Sequence, residues 1–228
     1  MRFIVEAVFF DNNGTLLDDL TVAYGSVRAI YAYFGISPPT LEVYREEITS
    51  DYMRFYHEHS LPGTTPDQLN VIRELYYKGH WNECNFRDDV KFVAETCRFI
   101  GLKTAIVSAE TDVLNQQLRE AGLYDCFDVV RPKAWPKMQA LVETAEKLGV
   151  NCSKTMYVDD TVDGLMQAKQ VGIIPVGFIN DTGYNSEKRI RQVTQFCIRE
   201  LKELFESPLF GWDQRRGIVF YETDQPNG

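Results

Sequence analysis

The stretch Val8 to Asp18, VFFDNNGTLLD, is an apolar run that stops at an aspartate, turns through Asn12, Asn13 and Gly14, and becomes apolar again. Unbroken apolar residues ahead of Asp11 suit a strand covered on both faces, as in a parallel sheet, and Gly14 permits a sharp turn after it. The pattern predicts a carboxylate at the carboxyl end of a buried strand, which is where open α/β sheets bind ligands. Asp, Asn and Gly also build ordinary turns, so this one segment leaves both readings open.

Three later segments repeat the scheme of an apolar strand ending in a chemically useful group. Thr104 to Ala109, TAIVSA, sets Ser108 at a second strand tip, and Thr155 to Gly164, TMYVDDTVDG, sets Asp159 and Asp160 at a third. Between them, Lys133 and Lys137 flank Pro136, a proline suited to the first turn of the amphipathic stretch Met138 to Leu148. This order of nucleophile, hydroxyl, cation and acidic pair resembles the haloacid dehalogenase superfamily of phosphohydrolases, over about Phe3 to Gly177. The resemblance implies an α/β fold: a Rossmann-like, doubly wound parallel sheet with an inserted helical cap of the first cap class.

The chemistry accounts for the company these residues keep. An aspartate that attacks phosphorus splits one hard hydrolysis into two easier steps. Mg²⁺ takes oxygen ligands and is commonly held by one or two carboxylates plus substrate phosphate. The resemblance therefore gives Asp11 as nucleophile, with Asp11, Asp160, Asp159 and the backbone carbonyl of Asn13 as metal ligands. Asn12, Gly14, Thr15, Ser108, the backbone at Ala109 and one lysine would hold the phosphoryl oxygens. Position relative to Pro136 favours Lys133 for that lysine, whereas distance to Leu148-Gly149 favours Lys137; the sequence reading leans to Lys133. In the acidic motif, Asp159-Asp160-Thr161-Val162-Asp163-Gly164 is similar to the phosphoglucomutase-like form, which selects Asp159 and Asp160 over Asp163.

One departure from the family pattern concerns catalysis directly. Two residues after the nucleophile the phosphatases carry an aspartate that protonates the leaving group and later activates water, and here that residue is Asn13. An amide cannot shuttle protons, and losing general acid–base help costs about 10² to 10⁴ in rate. The sequence leaves open whether Asn13 is natural or replaces an aspartate. The expected activity is thus a Mg²⁺-dependent phosphatase of a small phosphorylated metabolite. A phosphoglucomutase-like phosphotransferase and a catalytically weak phosphate binder are the alternatives. The 2-haloacid dehalogenases, which also lack that acid, do not carry the acidic pair.

Composition agrees with a cytoplasmic enzyme, monomeric or homodimeric. The 228 residues, 44% of them hydrophobic, suffice for a core domain plus an insert. A net charge of −9 without a basic run disfavours nucleic acid and membrane surfaces as partners. Five scattered cysteines without a Cys-x-x-Cys pair predict free thiols. The start MRFIVEAVFF is broken by Glu6 and reads as the first strand, not as a signal sequence.

Residues 18–87 contain no strand-like run and read as the cap, with residues 1–17 and 88–228 as the core domain. Helices are expected over Val22 to Phe34, Leu41 to His59 and Pro66 to Trp81, with Thr65 as N-cap of the last. Within them, His57 and His59 lie two apart and face different ways on a helix, which argues against a metal pair. After Gly177 the reading continues as a loop, a helix from Lys188 to Phe205, and a strand in GIVFYETD, Gly217 to Asp224.

Overall fold

The computed structural model describes residues 2–111, 113–206, 210–213 and 218–222. In chain order the elements are β1 (Arg2–Val5), β2 (Ala7–Phe10), β3 (Leu17–Asp18), α1 (Leu20–Tyr33), α2 (Leu41–Glu47), α3 (Tyr52–Glu58), α4 (Pro66–His80) and β4 (Asn85–Phe86). There follow α5 (Val90–Phe99), β5 (Lys103–Val107), α6 (Val113–Glu120), β6 (Val129–Arg131), α7 (Lys137–Leu148), β7 (Thr155–Asp159) and α8 (Val162–Gln170). The remainder is β8 (Ile174–Phe178), α9 (Glu187–Ile190), β9 (Cys197–Ile198), α10 (Glu203–Glu206), β10 (Phe210–Asp213) and β11 (Ile218–Glu222).

Strand β2 runs through the centre of a parallel sheet ordered β6-β5-β2-β7-β8-β9. Its four residues are fully buried because both faces are covered. Val8 and Phe10 join a cluster with Val93 and Leu114 from α5 and α6, while Ala7 and Phe9 pack with Leu141 and Ala168 from α7 and α8. This alternation is the period-2 geometry of a strand between two helical layers. Register then sets the site: Phe10 pairs with Ile106 of β5 and Val158 of β7, so Asp11, Ser108 and Asp159 emerge at one sheet edge.

The segment between β3 and β4 is helical and has an apolar cluster of its own, in which Leu20, Ile30, Tyr31, Phe55, Tyr56 and Leu69 are buried. A capping box of Thr65 and Gln68 opens α4. The single helix expected over Leu41 to His59 is two helices, α2 and α3. Thr49, Ser50 and Asp51 interrupt it: Asp51 accepts from Arg54 N, and Ser50 N donates to Asp163 of the core at 2.6 Å. Short polar side chains offer the backbone an alternative to helix, and here the core supplies one more partner.

Two further elements differ from the sequence reading. The expected helix from Lys188 to Phe205 is only α9 and α10, because Cys197–Ile198 adds to the sheet edge beside Gly177–Phe178. Hydrogen bonding to that open edge outweighs the helical pattern. The N-terminal strand is likewise divided at Glu6: β1 pairs antiparallel with β11, which forms from the expected C-terminal strand, and β10 extends this second sheet. The cysteines described are all free, Cys97 and Cys126 being buried. No helix among the described residues is long and apolar enough to cross a membrane.

Arg87, directly after β4, clamps the turn that follows Asp11. Its guanidinium donates to the carbonyls of Thr15 at 2.7 Å and Gly14 at 2.8 Å and to Thr182 Oγ1 at 2.9 Å, and it lies 4.7 Å from the centre of the Phe178 ring. Arg87→Ala leaves two carbonyls and a hydroxyl without their donor. It is expected to lower unfolding stability by about 1–3 kcal/mol in urea denaturation. A midpoint equal to wild type would contradict the clamp.

Candidate active site

Asp11 is 5% exposed and opens onto the floor of a cavity of about 740 Å³ between α4 of the helical insert and the 108–120 segment of the core. Its Oδ2 lies 3.0 Å from Lys137 Nζ, while its buried Oδ1 has no hydrogen-bond partner. Burial, opposed by Lys137 and assisted by Asp159, pushes the Asp11 carboxyl up to about 7. Lys137 also lies 2.7 Å from Asp159 Oδ2, and although burial works against its charge, Asp11 and Asp159 outweigh that and hold it protonated.

Of the two candidate lysines, the structure brings Lys137 to the aspartates and leaves Lys133 elsewhere. Lys137 occupies the first turn of α7 and is buried, whereas Lys133 is exposed and lines a separate cavity with Arg131, Glu143 and Lys147. Lys133 has a left-handed φ of 55°, and its N–H donates to Glu110 O at 2.7 Å. That turn spends the loop on crossing β5, so the amine that follows the proline, at the helix mouth, is the one aimed inward.

The acidic pair sits where the register predicts. Asp11, Asp159 and Asp160 each offer an oxygen within 4.8 Å of the others, and all three are buried. Asp159 Oδ1 accepts from the N–H and hydroxyl of Thr161, both at 2.7 Å. Asp160 accepts from Thr15 Oγ1 at 2.9 Å and Tyr184 N at 2.6 Å, and burial together with Asp159 and Asp11 raises it well above the ordinary carboxylate range. Asp163 instead faces the insert through Ser50. Three mutually repelling carboxylates around an unpaired acceptor fit a hard divalent cation, whose oxygen ligands these are. Gly14 and Gly164 make the crowding feasible: a Cβ on Gly14 would collide with Asp160, and one on Gly164 with Asp159. Gly14 also has a φ of +77°.

Ser108 is buried at the tip of β5, where its Oγ accepts from Glu110 N at 3.1 Å, and Ser108, Ala109 and Asn13 line the cavity. Asn12, Gly14 and Thr15 lie beneath the lining: Asn12 Nδ2 donates to Asn13 Oδ1 at 3.1 Å, Gly14 N donates to Asp19 Oδ1 at 3.0 Å, and Thr15 serves Asp160. The sequence reading missed Asp19 and Tyr184. Asp19 is 1% exposed and accepts from Asn13 Nδ2 at 2.8 Å and from Tyr184 Oη at 2.9 Å. Burial raises its carboxyl to about 6 despite the hydrogen bonds from Asn13, Tyr184 and Gly14. Asp19 lies six residues beyond Asn13, and nothing in one dimension links the two. His57 and His59 bond separately to Thr64 O and Glu47.

The chain is similar to several known proteins. A protein of Clostridium perfringens provisionally named a pyrophosphatase is 25% identical over 182 residues, 74% of this chain and 81% of its own length. The phosphoglycolate phosphatase of Neisseria meningitidis is 24% identical over 190 residues, 76% of this chain and 80% of its own. The crystal structure of a Deinococcus radiodurans hydrolase of the same family, with bound phosphate and sodium, superposes with a TM-score of 0.69 at 17% identity, over 88% of this chain and 93% of that one. The profile of the haloacid dehalogenase-like hydrolases matches residues 8–178, most of the chain and all four motif segments, and the protein belongs to that family.

Proposed function

We propose that the chain is a Mg²⁺-dependent phosphatase that cleaves a small phosphorylated metabolite through an aspartyl-phosphate on Asp11. The observation that carries this reading is Asp11 itself, one oxygen paired with Lys137 and the other buried without a partner beneath the cavity. The relatives named as phosphatases support it. Mg²⁺, held by Asp11, Asp160, Asp159 and the Asn13 carbonyl, supplies the positive charge that lets a phosphate dianion approach these aspartates.

In the proposed reaction an Asp11 oxygen bonds to phosphorus as the bond to the leaving oxygen breaks, and that oxygen takes its proton from water, since Asn13 has none to give. Water then adds to phosphorus, inorganic phosphate departs and Asp11 is restored. Lys137 orients the Asp11 carboxylate and favours its ionised form against burial, and Ser108 with the N–H groups after it receives the equatorial phosphoryl oxygens. Residues 18–87 act as the cap that limits water around the intermediate. The acidic pair beside Asp11 separates this reading from the metal-free dehalogenases.

The Asn13–Asp19 bond bears on the acid–base step. With Asp19 fixed by Gly14 N and Tyr184, position 13 needs a donor, which Asn supplies and an ionised Asp does not. Asn13 is thus matched to its surroundings and reads as the natural residue. Asn13→Asp alone sets two carboxylates against each other, so its gain in turnover is expected to stay under about fivefold, whereas Asn13→Asp with Asp19→Asn restores both a proton carrier and its donor and gains about tenfold or more over the single variant. Steady-state kinetics on the four proteins checks this. A hundredfold gain from the single variant would refute the matched pair.

For the metal, Asp160→Ala is expected to weaken Mg²⁺ binding by about tenfold or more in titration calorimetry, and Asp163→Ala by less than about threefold. Equal losses would overturn the ligand assignment. Mg²⁺ binding requires the ionised Asp11, whose carboxyl sits at about 7. Protons therefore compete below that pH at Asp11, and also at Asp160, whose carboxyl is raised as well, so Mg²⁺ affinity should fall by about tenfold or more per unit as pH drops below 7. A flat profile between pH 5 and 7, on the order of that range, would show that no buried carboxylate is displaced of its proton.

A further inference from the structure

Building on the phosphatase reading, we infer that the distal half of the cavity is a subsite for a ring-bearing, hydroxylated leaving group, a sugar or a nucleoside, with Gln117 as its hydrogen-bonding anchor. Gln117 lies on α6, is 6% exposed and lines the cavity, and its buried Oε1 has no partner among the described residues. An acceptor held in that state is costly unless a ligand donates to it. It has no counterpart in the chemistry at phosphorus. Asp11, Lys137 and the acidic pair are built around the sheet edge, whereas Gln117 stands one helical stretch beyond Ser108.

The surroundings of Gln117 define what that ligand is. Trp81 and Tyr77 from the insert and Val113 from α6 also line the cavity and supply apolar surface on which the face of a ring can pack. Glu74, Glu110 and Glu120 also line it, against the two cations Arg73 and Lys78. The wall thus offers acceptors and no surplus of positive charge, which favours hydroxyl and N–H donors and disfavours a second anionic group such as a carboxylate or another phosphate. A cavity of about 740 Å³ is also far larger than a two-carbon acid fills. On this reading the protein's substrate differs from those that its named relatives suggest.

The test is kcat/KM, with Mg²⁺, for glucose 6-phosphate, adenosine 5′-monophosphate, phosphoglycolate, pyrophosphate and p-nitrophenyl phosphate. Glucose 6-phosphate or adenosine 5′-monophosphate is expected to exceed phosphoglycolate and pyrophosphate by about tenfold, and the comparison of these two distinguishes sugar from nucleoside. Gln117→Met, which keeps the volume and removes the acceptor, should lower the ratio for that substrate over p-nitrophenyl phosphate by about tenfold to a hundredfold. Gln117→Glu, which keeps an acceptor, should retain most of it and guards against a folding defect in the first variant. A preference for phosphoglycolate or pyrophosphate, or a ratio within about twofold of wild type in Gln117→Met, overturns the inference. If none of the compounds is hydrolysed, calorimetric binding of the same set decides. Tighter binding of a ring phosphate, lost in Gln117→Met, upholds the subsite and removes only the phosphatase reading, whereas no such order removes the subsite.

Discussion

The ammonium of Lys137, 3.0 Å from Asp11 and 2.7 Å from Asp159, is what allows three aspartates to share one buried sheet edge. Taking a carboxylate out of water costs several kcal/mol on the order of continuum and mutational estimates, and a neighbouring carboxylate adds to it. One cation cannot satisfy three anions. The imbalance falls on Asp11 and Asp160, whose protons are held unusually tightly, and it suits the cluster to a second positive charge. The parallel register of β2 between β5 and β7 imposes the arrangement, because the strand tips cannot separate without breaking the ladder.

The backbone around the site is shaped to permit that crowding. Gly14 and Gly164 are the two positions at which any side chain would strike an aspartate, and they stand at the start of the turn after β2 and in the first turn of α8. Arg87 holds the carbonyls of the same turn from the far side, and Asp19 takes the Gly14 N–H. The turn after Asp11 is consequently fixed by charges at both of its faces, which is a more rigid support than a loop of this composition would have alone.

Much of this was legible in the sequence for a physical reason. Strands buried on both faces announce themselves as unbroken apolar runs, so the tips at Asp11, Ser108 and Asp159 could be read directly, and so could the helical insert with its Thr65 cap. What could not be read were choices settled by the third dimension. Lys133 and Lys137 lie four residues apart, and which amine turns inward is settled by the backbone between them, left-handed at Lys133 and helical from Lys137. Asp19 and Tyr184 meet across 165 positions of chain, and Gln117 reveals its unpaired oxygen only once its neighbours are in place. The edge strand Cys197–Ile198 was misread as helix because its partner, β8, is what makes it a strand.

The insert and the acidic pair are mechanically one unit through the loop between β8 and α9. Tyr184 N binds the Asp160 side chain and Asn185 N the Asp160 carbonyl, at 2.6 Å and 3.2 Å. The Asn185 amide donates to the carbonyls of Arg45 and Ile48 on the insert, and Arg189 reaches the same two carbonyls. Arg45 returns the contact by donating to Asn180 O. The C-terminal end of α2 is thus tied to the residues that hold Asp160, while the polypeptide joins insert to core separately at the antiparallel β3–β4 pair. A displacement of Asp160 or of the insert therefore strains or breaks hydrogen bonds made by this loop. Coupling of this kind needs no long pathway, since a single loop carries both sets of hydrogen bonds.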